Sequence, residues 1–240
     1  MGKTSPLRTG TSCPFAFFRG GFPTSSVSTT PECGVESPCR IRSFQPLLDR
    51  PWKRGRTHTP QREKSLQRVY VVIVTFNGDR WIGGALDSLR NSRSGCRVIV
   101  VDNASKGSTV KIVRKYYPEI DLMCLSDNGG FGRGNKIRIA NAIASGAEYV
   151  FLLNQDAYVT EDAIGQLVEF LDDHPDFDIA TPLHCSPDLS AVDIKTQRYY
   201  LCRYAPEYVS DACLDSVKGY ELIQGVNAAA WVARSEMSPK

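Results

Sequence analysis

The sequence predicts an α/β domain built on an open, mostly parallel sheet flanked by helices. Short β-branched apolar runs alternate with stretches of helical periodicity from Val69 onward, and βα units repeated on this scale give a mostly parallel sheet with right-handed crossovers. The successive runs stop at polar residues, as strands do when they reach the open edge of such a sheet. With 240 residues, 42% of them hydrophobic and 23% charged, the chain is long enough for one large domain with a tail.

Residues 1–67 are rich in Ser, Thr, Pro, Gly and Arg, with neither helical nor strand periodicity. Such sequence buries too little apolar surface to offset its ordering entropy, and is expected to be a disordered basic leader. Phe15-Ala16-Phe17-Phe18 is too short for the apolar core of a secretory signal, and no small-residue cleavage site follows it. Order is expected over residues 68–240.

Val69-Tyr70-Val71-Val72-Ile73-Val74 reads as a strand covered on both faces. Thr75-Phe76-Asn77-Gly78-Asp79 breaks it, and Trp81, Ile82, Ala85, Leu86 and Leu89 follow at helical spacing. Arg97 to Val101 is the second strand, ending at Asp102-Asn103-Ala104-Ser105. Val110, Ile112, Val113 and Tyr116 predict a helix that Pro118 terminates. Ile120 to Leu125 is the third strand, followed by a glycine-rich loop from Ser126 to Gly134. Ile137, Ile139, Ala140, Ile143 and Ala144 predict a helix ended by Gly146. Tyr149 to Leu153 is the fourth strand and runs into Asn154-Gln155-Asp156. Thr160-Glu161-Asp162 is expected to cap a helix carrying Leu167, Val168, Phe170 and Leu171. Phe177 to Pro182 is a fifth short strand. Residues 183–220 read as a long connection, and Glu221 to Ala233 as a further strand with room for a bend at Gly225.

The net charge of +3 conceals an asymmetry. Residues 1–68 hold 12 Lys/Arg against 4 Asp/Glu, and residues 69–240 hold 17 against 22. An acidic folded part argues against a nucleic-acid-binding face. The eight cysteines form no C-x-x-C pair and no zinc-type spacing with histidine, so they are read as free thiols of a reducing compartment. His58, His174 and His184 are isolated and expected to be solvated or locally bonded. No window reaches the roughly 18–20 apolar residues of a membrane span.

Four strand ends share one edge of the predicted sheet: Thr75 and Asn77, Asp102 and Asn103, Asp127 and Asn128, Asn154 and Asp156. Each set alone is ordinary turn chemistry. Together they suit a nucleoside diphosphate, with the second carboxylate on a ribose hydroxyl or base edge and the fourth, Asp156, on a Mg²⁺ or Mn²⁺ ion that bridges phosphates. The Gly129–Asn135 stretch is no dinucleotide fingerprint: from Gly130, G-x-G-x-x-G requires a glycine at Asn135, and the loop follows the third strand rather than the first.

Val72-Ile73-Val74-Thr75-Phe76-Asn77, Val101-Asp102-Asn103-Ala104-Ser105, Asn128-Gly129-Gly130-Phe131-Gly132 and Leu152-Leu153-Asn154-Gln155-Asp156-Ala157 occur in this order. They resemble the successive motifs of inverting family 2 glycosyltransferases with the GT-A fold, a Rossmann-like α/β architecture, over residues 69–182 and more loosely 219–236. The resemblance implies a nucleotide-diphosphate-sugar donor and a divalent cation, Mg²⁺ or Mn²⁺. It places Thr75 and Phe76 against the base, Asn77 in the turn that shapes that pocket, and Asp102 with Asn103 at the base or ribose. Asn128, Gly130 and Asn135 then lie beside ribose and diphosphate, with Asp156 as metal ligand and Asn154 at the first position of the D-x-D-type motif. That amide variant looks like the one in rhamnosyltransferase-like members. Lys136 and Arg138 depart from the family pattern and would bring two positive charges near the diphosphate; Gly107 stands where an acid is frequent.

Gly225 to Trp231 resembles the acceptor-side strand. The family's general base comes after it, so the catalytic residue is expected beyond Lys240; Asp211, Asp215 and Glu221 qualify by chemistry only. The expected acceptor is a glycan or lipid-linked acceptor, and the protein is expected in the cytoplasm, peripherally associated with the inner face of a membrane. The alternatives are a nucleotide-sugar-binding fragment impaired by loss of the base, and a dinucleotide-dependent oxidoreductase, which the failed fingerprint disfavours.

Overall fold

A computed structural model describes residues 15–18, 68–214, 216, 219–225 and 227–236. The expected open, mostly parallel sheet is present, with helices on both faces. Its strands in chain order are β1 (Phe15–Phe18), β2 (Val69–Thr75), β3 (Arg97–Asp102), β4 (Asp121–Cys124), β5 (Tyr149–Leu153), β6 (Ile179–Pro182), β7 (Tyr220–Leu222) and β8 (Ala230–Arg234). In space they lie in the order β4-β3-β2-β5-β8-β6-β1-β7. β2 pairs in parallel with β3 and β5, and β3 with β4. β8 is antiparallel to both β5 and β6.

The order reverses at β2: β3 and β4 lie on one side of it and β5 on the other. That makes the β2/β5 junction the topological switch point, where the carboxyl ends of the strands leave a crevice. Backbone pairing between these two strands ends at Val72↔Leu152, although β2 continues to Thr75. The strands therefore fork at the edge where the polar residues emerge.

Side-chain alternation along β2 feeds two cores. Val69, Val71 and Ile73 join Phe151, Leu153 and the buried faces of α1 (Ile82–Arg90), α2 (Thr109–Tyr116) and α4 (Ala163–Asp173). Tyr70 and Val72 join Ile99, Val150, Leu152 and Ala142 of α3 (Gly130–Ala144) on the other face. The helical spacing read for α1 holds, with Ile82, Ala85, Leu86 and Leu89 all buried.

Several expectations are corrected. At the end of α2 the buried aromatic is Tyr117, the residue after the helix, whose single hydroxyl proton is shared between Gly83 O and Asp87 Oδ1, each 2.9 Å away, while Tyr116 is exposed. α3 begins at Gly130, so Gly130, Gly132 and Gly134 belong to the helix instead of a loop. Its sheet-facing row is Gly134, Arg138 and Ala142; Ile143 is exposed. Close approach decides that row, because a Cβ at Gly134 would stand 3.1 Å from both methyls of Val74. Asp162 makes no side-chain cap at α4. Glu161 and Asp162 instead pair with Arg93, at 2.9 and 3.2 Å.

Phe15–Phe18 takes strand form, antiparallel to β6 and parallel to β7. Aromatic residues suit a pleated surface, and the partners are over 160 residues away, which a local reading of the leader does not see. The span 183–220 is also not a plain connection. A π-helical segment, Thr196–Leu201, runs into α5 (Cys202–Tyr204) and then α6 (Pro206–Cys213). Leu183, Leu201, Ala205, Tyr208 and Ile223 form a third, smaller core there. Among the described residues no helix is long and apolar enough to cross a membrane, and Cys96, Cys124, Cys185 and Cys202 are free thiols. Cys13, Cys33, Cys39 and His58 lie outside the described residues.

Candidate active site

Because β2, β3, β4 and β5 are mutually parallel, their carboxyl ends meet on one edge. The predicted strand ends are therefore neighbours. Asn103 N donates to Thr75 O at 2.8 Å and Leu125 N to Asp102 O at 2.8 Å, continuing the ladder into the loops.

Much of the polar chemistry here ties loop to loop. Asn77 adopts φ +50°, a left-handed turn that Asn tolerates. Its N–H donates to Ser105 Oγ at 2.8 Å and its Oδ1 accepts from Lys106 N at 3.0 Å. Asn103 is buried; its Nδ2 donates to Asn128 Oδ1 at 2.6 Å, and its Oδ1 accepts from Gly129 N at 3.1 Å. Asn128 Oδ1 also accepts from Gly130 N at 3.0 Å. These three asparagines fasten the loops after β2, β3 and β4 together, which uses most of their bonding capacity.

Asp102, Asn135 and Asp156 retain unused capacity. Asp102 is 2% exposed; its Oδ2 accepts from Ser105 N at 2.9 Å, and its Oδ1 is buried without a partner. Asn135 follows the close-packed Gly134 on α3 and is 5% exposed, with neither Oδ1 nor Nδ2 partnered. Buried polar atoms left unpaired cost about 1–3 kcal/mol each, so both side chains are suited to meet a polar ligand. Gly130, at φ +80° with open space around its Cα, opens α3 beside them. Phe76 is 41% exposed, a ring free to stack on a planar group. Thr75 is fully buried and its hydroxyl donates to Gln155 Oε1 at 2.5 Å, so that hydroxyl is already committed.

Asn154, Gln155, Asp156 and Ala157 form a tight turn closed by Ala157 N donating to Asn154 O at 3.1 Å. Asn154 N donates to Ala229 O at 2.8 Å, anchoring the turn to the chain entering β8. Asp156 is exposed at its tip. The turn offers the Asp156 carboxylate and the Asn154 amide, the Gln155 amide being bonded to Thr75 and Phe76, and among the described residues no group of three His, Cys, Asp or Glu side chains is gathered around a point. Such a donor set fits a hard cation that takes its remaining oxygens from a diphosphate and water, as Mg²⁺ and Mn²⁺ do in phosphate sites.

Arg138 does not belong to this edge. It is 8% exposed and pairs with Asp121, the first residue of β4, at 3.3 Å. A charge on the helix's sheet-facing row needs a partner, and Asp121 supplies one at the opposite end of the strand. Lys136 is exposed. Gly107 has a steric reason: a Cβ there would collide with the Asp79 carboxylate. Asp79 accepts from Ser108 N at 2.6 Å and from Thr109 Oγ1. Those bonds at the start of α2 hold its pKa below the ordinary 3.8. Of the alternative bases, Glu221 lies in β7, four strands along from β5, Asp211 lies in α6, and Asp215 is outside the described residues. His174 and His184 are locally bonded as expected, to Phe170 O at 2.9 Å and Ala230 O at 3.3 Å.

Gln155 and Asp79 were not anticipated as site residues. Gln155 stands inside the most informative motif, and its position between the two candidate ligands was the available signal. Asp79 carried none, because its partners Ser108 and Thr109 come from another loop.

The TarS poly(ribitol-phosphate) β-N-acetylglucosaminyltransferase of Staphylococcus aureus is 29% identical to this chain over 114 residues, covering 45% of this chain and 20% of that protein. The dTDP-rhamnosyl transferase RfbF of Shigella flexneri is 28% identical over 123 residues, covering 51% of this chain and 40% of RfbF. The matched region thus spans less than half the length of either relative. Solved structures with similarity include S. aureus TarS 1–349 in complex with UDP-GlcNAc, at 27% identity and TM-score 0.41, covering 46% of this chain and 32% of that one. Another is the Pyrobaculum calidifontis mannosyltransferase PcManGT in complex with GDP-Man and Mn²⁺, at 18% identity and TM-score 0.46, covering 80% and 50%. The model of the glycosyl transferase family 2 matches residues 70–208, more than half of the chain, and the chain belongs to that family.

Proposed function

We propose that this chain binds a nucleotide-diphosphate sugar at the β2–β5 edge and serves metal-assisted, inverting sugar transfer to a glycan or lipid-linked acceptor. The observation that carries the reading is the convergence, on one sheet edge, of unpartnered Asp102 Oδ1 and Asn135 with the exposed Asp156 turn. The first two supply an acceptor and a donor–acceptor pair for base or ribose, and Phe76 supplies a stacking face. Asp156 would hold a Mg²⁺ or Mn²⁺ ion together with the diphosphate, with Asn154 at the adjacent motif position. When bound, that cation neutralises charge on the departing diphosphate. In an inverting transfer a carboxylate removes the acceptor hydroxyl's proton as that oxygen attacks the anomeric carbon; no described residue is assigned that step. The rhamnosyl transferase and N-acetylglucosaminyltransferase names of the relatives support a hexosyl or deoxyhexosyl donor. The setting proposed is the cytoplasm, at a membrane face where lipid-linked glycans are built.

The test is calorimetric titration with UDP-, dTDP- and GDP-sugars, in Mn²⁺ and in EDTA. One nucleotide class should bind, Mn²⁺ should tighten it, and Asp156→Ala should remove that enhancement. Binding indifferent to Mn²⁺, or unaltered in Asp156→Ala, overturns the donor-site reading. Donor binding without transfer to any acceptor would favour the binding-fragment alternative.

A further inference from the structure

The β2 and β5 backbones part after Val72↔Leu152, yet the loops beyond the fork are joined. The link is the side-chain amide of Gln155. Its Oε1 accepts from Thr75 Oγ1 at 2.5 Å and from Phe76 N at 3.0 Å, and its Nε2 faces Phe76 O at 3.4 Å. The amide thus joins the two chains beyond the fork, past the last backbone pair, and it bonds both polar groups of Phe76. The space is closed around it: any Cβ at Gly78 would strike Thr75 Oγ1 and Gln155 Oε1. On its other side the same turn is fixed by Asn154 N to Ala229 O at 2.8 Å. Asp156 is therefore presented by a turn held from β2 through one side chain and from β8 through one backbone bond.

We propose that Gln155 is a positioning residue: its amide bridges the β2/β5 fork and sets Asp156, the cation-holding carboxylate, in register with the Thr75–Phe76 turn that faces the nucleotide. This rests on the donor-site reading above and adds the coupling between its two halves. The alignment of carboxylate with diphosphate would otherwise depend on two loops free to drift apart, and a displacement of about 1 Å is enough to cost orders of magnitude at a reacting centre. The Gln155 amide is committed to the Thr75–Phe76 turn, so the role assigned to it is the placement of Asp156 and not a contact with donor or cation.

Two variants test it. Gln155→Met keeps the volume and removes the amide, and Gly78→Ala keeps Gln155 and crowds its bonds. With Mn²⁺ and whichever of UDP, dTDP or GDP the wild type binds, each should weaken binding about tenfold, the worth of roughly one lost net hydrogen bond. In EDTA, and in the Asp156→Ala background, the same substitutions should change binding less than twofold. Amide exchange at Phe76 should accelerate in Gln155→Met with no ligand present, which reads the bridge independently of binding. Unchanged affinity with Mn²⁺, or an equal loss with and without Mn²⁺ or Asp156, overturns the positioning role. A wild type that binds no nucleotide in a Mn²⁺-dependent way overturns the donor-site reading, a result the exchange measurement leaves separate.

Discussion

Asp79 shows how single side chains set this site. It lies just beyond β2, yet its carboxylate holds Ser108 N and Thr109 Oγ1 at the start of α2. Its lowered pKa, caused first by the Thr109 hydroxyl and then by the Ser108 amide, means that the folded state favours the charged form. The stability this brings is present above the unfolded carboxylate's pKa and is lost as pH falls through the folded value. Asp79→Asn should therefore lower Tm at pH 7, and the gap to wild type should close only below pH 3.8, read by thermal denaturation across pH 2–7. At this scale the sequence was partly legible. The placement of Asp156 and Asp102 at strand ends was readable from the series of strands, whereas Asn77, Asn103 and Asn128 are largely occupied in bonds between loops. Pairings between loops 25 or more residues apart leave no local pattern to read.

Among the elements, α3 carries the most consequence. Its contact row of Gly134, Arg138 and Ala142 lets the helix lie close to β2 and β3, which seats Asn135 beside the crevice. Gly134→Val forces methyls against Val74 and should cost about 1–3 kcal/mol by urea denaturation. Gly132→Ala meets no atom within 4 Å, and should instead gain roughly 0.5–1 kcal/mol from helix propensity. The opposite signs separate a glycine required for approach from one merely tolerated. The helix was foreseen but its face was not. Apolar periodicity pointed to Ile139, Ala140 and Ile143, while the buried row contains an arginine neutralised by Asp121. Hydropathy patterns cannot weigh a buried charge whose partner sits on another element.

Across the whole molecule, the end of the sheet opposite the site is closed by a polar clamp. Tyr149 OH donates to Asp172 Oδ1 at 2.6 Å and accepts from Arg234 Nη1 at 2.9 Å. Arg68 reaches Asp172 at 2.9 Å and also pairs with Glu148, while Arg234 donates to Phe177 O at 3.1 Å and to Leu171 O. The residue preceding β2, strands β5 and β8 and helix α4 are thus joined at one point. Burial first, and the neighbouring Asp172 next, push the Tyr149 hydroxyl up to about 12; Tyr117 is raised to about 12 by burial and Asp87. Both phenols stay neutral in the folded state at pH values where unfolded tyrosine ionises. Their contribution is intact below about pH 10 and is lost as pH rises toward 12. Stability should fall across that window, and Tyr149→Phe should be less stable than wild type at pH 8 yet decline less between pH 10 and 12. The parallel sheet itself was legible from apolar runs and their polar endings. Phe15–Phe18 and the helices after Pro182 were not, because their partners are distant in the chain.

The placement of β8 has a consequence for how the protein is made. β8 is the last of the described strands in chain order, yet it separates β5 from β6 in the sheet. A ribosome adding about 5–20 residues per second needs roughly 4–15 s to travel from the end of β5 to the start of β8. Throughout that interval the Tyr-Val-Phe-Leu-Leu edge of β5 has no neighbour on one side. Such an apolar open edge is a template for pairing with another nascent chain. The emerging protein is thus most in need of a chaperone between synthesis of β5 and of β8, and pairing of β5 with β8 and anchoring of the Asp156 turn through Ala229 arrive in the same step.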